Sequence, residues 1–79
     1  MPDYRELVSH IVRQLVSRPD DVRVEIEGQG RHYMVRIWTA PEDLGRVIGR
    51  QGRNVEAIRM VVRSASLRSR DRVQVEVVD

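Results

Sequence analysis

Gly49-Arg50-Gln51-Gly52 brackets a polar pair between two glycines, and basic side chains flank it at Arg46 and Arg53. Such a segment suits one kind of chemistry, the holding of an anion. A glycine at each end admits backbone conformations closed to other residues and lets a sugar-phosphate chain approach without meeting a Cβ. Where a helix starts directly after such a loop, its unpaired N–H groups and the positive end of its dipole favour phosphate. Arg50 and Arg53 add charge at the same place. An acidic pair at positions 50 and 51 would repel phosphate, and here both residues are free of negative charge.

The charge distribution agrees with that reading. Between Met1 and Gly45 there are six arginines and eight acids, whereas Arg46 to Arg70 holds seven arginines (Arg46, Arg50, Arg53, Arg59, Arg63, Arg68, Arg70) and only Glu56, a local charge of +6 within a chain of +2. A concentration of this kind attracts polyanions, nucleic acid first among them. All fourteen basic residues are arginine, which also offers planar, bidentate contacts.

Other chemistry finds little support. His10 lies on the polar side of a helical pattern and His32 on the outer side of a strand pattern, neither with a converging ligand set or a nucleophile. Asp20-Asp21 follows Pro19 and reads as a turn rather than as a carboxylate pair. Without cysteine there is no thiolate metal site and no disulfide. No catalytic residue, metal ligand, cofactor or small-molecule substrate is expected. No apolar run reaches the roughly 20 residues that cross a bilayer, and the N-terminus does not read as a secretory signal, so no membrane association and a cytoplasmic location are expected.

The elements that must position the loop follow from periodicity. Tyr4, Leu7, Val8, Ile11, Val12, Leu15 and Val16 recur as one helical face, which predicts a helix from about Pro2 to Ser17 with Asp3 and Glu6 as a capping box. Val22, Val24 and Ile26, then Tyr33, Val35 and Ile37, alternate with polar residues and predict a hairpin about Gly28-Gln29-Gly30. This leaves Met34 and Trp38 on the opposite sheet face as a candidate partner interface. Thr39 and Glu42 form a second expected capping box ahead of a two-turn helix holding Leu44, Val47 and Ile48. A longer helix restarts after Gly52 with Val55, Ile58, Val61, Val62 and Ala65 inward, and frays through Ser66 to Arg70. Val73, Val75 and Val77 make a last strand. The order helix, strand, strand, helix, helix, strand predicts an α+β domain over residues 1–79, with a three-stranded sheet and helices on one face.

On these residues the sequence resembles the KH family, whose signature Ile-Gly-X-X-Gly between two helices is written here Ile48-Gly49-Arg50-Gln51-Gly52. With its N-terminal helix and strand, it resembles the type II arrangement, which implies a mixed sheet with two strands parallel. The resemblance implies binding of single-stranded RNA, with Gly49, Arg50, Gln51, Gly52, Arg53 and Arg46 about the phosphates. Val47, Ile48, Val55 and Ile58 would line an apolar groove, with Arg59 beside it. In length the chain is also similar to the small bacterial KH proteins of the KhpA/YlqC kind. That likeness implies sequence-tolerant RNA binding in post-transcriptional regulation or as an RNA chaperone, as a homodimer or beside a larger KhpB/Jag-type KH protein. The competing expectation is a KH scaffold used for docking or dimerisation with little RNA binding of its own. The aromatic content, Tyr4, Tyr33 and Trp38 without phenylalanine, does not suit an RRM, and the helix pair does not suit a double-stranded RNA-binding domain.

Overall fold

The first helix exists because its apolar residues share one stripe and because Asp3 closes its start. In the computed structural model, which describes residues 3–79, α1 runs Tyr4–Leu15 and the Asp3 carboxylate accepts the Glu6 N–H at 3.0 Å. The helix ends two residues earlier than the periodicity predicts, since Val16 is already extended and Pro19–Asp21 forms a tight turn. The expected start at Pro2 lies outside the described residues.

The hairpin forms, but the turn lies at Gly30-Arg31 rather than across Gly28-Gln29-Gly30, because Gly28 and Gln29 still pair with Tyr33 and His32. β1 (Arg23–Gln29) and β2 (His32–Trp38) pair antiparallel, with Ile26 opposite Val35 and Val24 opposite Ile37. β3 (Arg72–Val77) lies parallel to β2 on its other side, Val75 opposite Val35, so the sheet order is β1-β2-β3 and the sheet is mixed. Alternation places Val24, Val35, Ile37 and Val75 on one face, under the helices. On the other face Arg36 pairs with Glu27 and Glu76, and Arg23 lies 4.3 Å from the Trp38 ring centre. Met34 and Trp38 are therefore half-buried among charged neighbours rather than a bare apolar patch.

Pro41–Asp43 forms another tight turn that leads into α2 (Leu44–Ile48). The expected Thr39/Glu42 capping box is absent: the Thr39 hydroxyl donates to the Ala40 carbonyl and Ala40 takes the cap position. Pro41 explains this, because it removes one of the donors a side-chain cap would satisfy.

α3 (Arg53–Ser66) buries Val55, Ile58, Val62 and Ser66, a stripe spaced three, four and four. Val61, expected inward, is 43% exposed, since it stands about 100° around the helix from buried Val62. The expected fraying after Ser66 is also corrected. The turn is held by Tyr4, whose buried hydroxyl donates to Asp71 at 2.5 Å and meets Ser69 Oγ at 3.1 Å. Burial, and then the bond to Asp71, push the Tyr4 hydroxyl above its ordinary pKa, while the same bond holds the Asp71 carboxyl below its own.

The core gathers Tyr4, Val8 and Val12 of α1, Val47 of α2, Ile58 and Val62 of α3, and the inner sheet face. On each edge strand an arginine takes one carbonyl. Arg5 donates to the Val24 carbonyl of β1 at 2.9 Å, and Arg59 to the Val75 carbonyl of β3 at 3.1 Å, which occupies edge groups that would otherwise template another strand.

Candidate nucleic-acid interface

Three left-handed residues build the loop between α2 and α3. Gly49 has φ 77°, Gln51 φ 58° and Gly52 φ 75°. At Gly49 the conformation and the space both demand glycine, because a Cβ would lie 2.7 Å from Asn54 Cγ and 2.8 Å from its backbone nitrogen. That close approach lets the Asn54 amide reach back across the loop and donate to the Arg46 carbonyl at 2.7 Å. The end of α2 is thus clamped to the start of α3.

The backbone bonds of the loop leave donors for a ligand. Gly49 N–H is taken by the Gly45 carbonyl and Gly52 N–H by the Gly49 carbonyl, whereas among the described residues Arg50 and Gln51 N–H have no backbone partner. The Arg53 N–H is likewise taken, by the Arg50 carbonyl, so the donors that the loop offers are the Arg50 and Gln51 N–H groups, just ahead of the N-terminus of a fourteen-residue helix. The side chains of Arg50, Gln51 and Arg53 are exposed around it. Gln51 is not glycine yet holds a left-handed conformation, a strain that clusters at functional sites.

Asp43 fixes the whole junction from behind. It is fully buried and accepts from Ser17 N–H at 2.9 Å, Ser17 Oγ at 2.8 Å and Arg18 N–H at 3.1 Å, with Arg46 Nη1 3.1 Å away. The Ser17 N–H bond, more than burial opposes it, holds the carboxyl below the ordinary carboxylate range. One carboxylate therefore joins the end of α1 to the start of α2 and orients Arg46. Neither Asp43 nor Asn54 stands out from spacing alone. An acid directly before an apolar helix is the only signal for the first.

Beside the loop a groove of about 830 Å³ runs between α3 and β3, from Ile48 and Val55 to Arg59, Arg63 and on to Asp71 and Arg72. Ile48 is half-buried and Val55 is 8% exposed at its wall. Ile58 and Val47 do not reach it; at 1% and 0% exposure they are core, and they support the wall from beneath. Arg59 lies in the groove, bridging Glu56 and the Val75 carbonyl. Met34 also lines the groove, while Trp38 sits apart from it. His10 and His32 are exposed, and among the described residues no group of acids and histidines has metal-binding geometry. Likewise no described helix is long and apolar enough to cross a membrane.

Comparison with known proteins places this geometry among relatives. Residues 5–77 match the family described as KhpA/KhpB, KH domain. The chain is 46% identical to RNA-binding protein KhpA of Caldanaerobacter subterraneus, over 92% of this chain and 97% of that one. It is 40% identical to RNA-binding protein KhpA of Halalkalibacterium halodurans, over 95% and 99%, and 42% identical to that of Bacillus subtilis, over 94% and 91%. Among solved structures it is similar to Era of Aquifex aeolicus, with a TM-score of 0.62 at 19% identity, over 95% of this chain and 30% of that one. A crystal structure of Era with MgGDPNP and a segment of 16S ribosomal RNA gives the same TM-score at 21% identity, again over 30% of that chain. At such identity the Era likeness concerns the fold.

Proposed function

The chain belongs to the KhpA/KhpB KH-domain family, and from that premise we propose that it binds single-stranded RNA through the Gly49–Gly52 loop. About four nucleotides cross the groove, their phosphates against the loop amides and Arg50, Arg53 and Arg46, their bases against Ile48 and Val55 beside Arg59. The observation that carries the reading is the pair of loop amides, Arg50 and Gln51, which have no backbone partner among the described residues and lie between positive-φ glycines just before α3. Phosphates and stacking faces are common to all sequences, so recognition is sequence-tolerant. Chemistry of this kind suits a binding module rather than an enzyme, a single KH domain acting on cytoplasmic RNA as a chaperone or post-transcriptional regulator.

Each site neutralises few phosphates and binds weakly; a second KH copy supplies affinity through effective concentration. Exposed Met60, Val61 and Leu67, at 63%, 43% and 71%, support pairing with another copy or with a larger KhpB/Jag-type protein better than half-buried Met34 and Trp38 do. Titration of a fluorescent unstructured RNA should show weak binding whose log K falls by about 0.7 per phosphate contact for each tenfold rise in salt. Duplex RNA of the same sequence should compete poorly. Failure to bind the single strand, or equal competition by the duplex, would remove the reading.

A further inference from the structure

The far end of the groove does not close. Where α3 ends, the Leu67–Asp71 turn is pinned against the β1–β2 turn: Arg31 Nη1 donates to the Ser69 carbonyl at 3.2 Å, and Arg72 N–H to the Arg31 carbonyl at 2.7 Å. The two turns together carry Arg31, Arg68 and Arg70 around an open depression of about 590 Å³. Among the described residues none of these three arginines is in an ion pair, whereas Arg18, Arg23, Arg36, Arg46 and Arg59 all are. The only acid there, Asp71, is turned to Tyr4 and Ser69 and lies on the lining of both the groove and the depression, so the two surfaces are continuous.

We propose that Arg31, Arg68 and Arg70 form a second phosphate-binding site, which receives the RNA strand after it leaves the groove. The proposal rests on the groove reading above and extends the footprint beyond about four nucleotides. α3 sets the separation of the two sites, about 20 Å for its fourteen residues. Unpaired guanidinium groups offer planar, two-pronged donors to phosphate, which suits a strand whose bases are not read there. Arg70 holds φ 59°, a left-handed conformation that the Tyr4–Asp71–Ser69 contacts sustain from beneath, so the cluster is presented by a fixed turn rather than by a loose one.

Binding of a tetranucleotide and of an unstructured decanucleotide is measured for wild type, for the Arg31→Ala, Arg68→Ala, Arg70→Ala triple variant, and for an Arg50→Asp, Gln51→Asp loop variant. Because Arg31 also holds Ser69, the Arg68→Ala, Arg70→Ala double variant, which leaves that bond in place, is measured beside the triple. Wild type should bind the decanucleotide about tenfold or more tightly than the tetranucleotide. The turn variants should lose this gain and have a shallower salt dependence, by about 0.7 per contact removed, with tetranucleotide affinity unchanged. A turn variant that keeps the full gain would overturn the proposal while leaving the groove reading intact. A turn variant that weakens both RNAs equally would overturn it too, by making the cluster part of the first site. Loop-variant affinity equal to wild type would instead count against the groove reading itself.

Discussion

RNA affinity of the Arg50→Asp, Gln51→Asp variant is expected to fall by about a hundredfold or more while the protein stays folded, because juxtaposing like charges costs several kcal/mol. Both side chains are exposed and neither supports the core, so the loss is confined to the site. Position 51 is left-handed, a conformation aspartate tolerates better than glutamine does, so backbone strain does not confuse the outcome. Two carboxylates would face the same phosphates that the free Arg50 and Gln51 amides are set to receive. Fluorescence anisotropy with unstructured RNA, beside circular dichroism of each protein, checks the expectation. Unchanged affinity in the folded variant would move the RNA site away from the loop.

Replacement of Asp43 by alanine should have the largest effect on stability. The change takes the acceptor from the Ser17 and Arg18 N–H groups and the Ser17 hydroxyl, and removes the buried carboxylate that joins α1 to α2. For a chain of this size the expected fall in Tm is about 10 °C or more at neutral pH. The sign of the pH dependence follows from the depressed Asp43 pKa. A carboxyl that is harder to protonate folded than unfolded stabilises the protein above its unfolded pKa, about 3.9, and that contribution fades as pH falls through the lower folded value. The wild-type advantage in Tm should therefore hold from neutral pH down to about pH 4 and narrow below it. Thermal melts of both proteins across that range test this, and a gap that widens with acid would contradict the assigned role. Asp71, also held low, makes the wild type itself less stable in the same acid range.

What the sequence made legible is what depends on local spacing. Glycines three apart, the run of arginines and the strand alternations are all visible in short windows, and they were enough to place the loop between two helices and to expect a three-stranded sheet; its mixed character followed from the KH resemblance. The features that escaped depend on partners far along the chain. Asp43 is defined by Ser17 and Arg18, 26 and 25 residues earlier, and the turn after α3 by Tyr4, 67 residues before Asp71. Val61 has an apolar side chain in a helical window, yet it is exposed, because tertiary packing buries only the Val55, Ile58, Val62 and Ser66 stripe of α3. Ile58 and Val55 look alike by period; only the packed position of α3 sends one into the core and the other to the groove wall. The Asn54 clamp lies within eight residues of its partner but has no propensity signature, because it requires the backbone approach that Gly49 permits.

The most direct test follows backbone amide chemical shifts of the wild-type protein as unstructured RNA is added. The largest changes should fall on Gly49, Arg50, Gln51 and Gly52, with a second group along Ile48, Val55 and Arg59 at the groove. Changes concentrated instead on Arg23, Arg36 and Trp38 of the outer sheet face, with the loop amides unmoved, would contradict it.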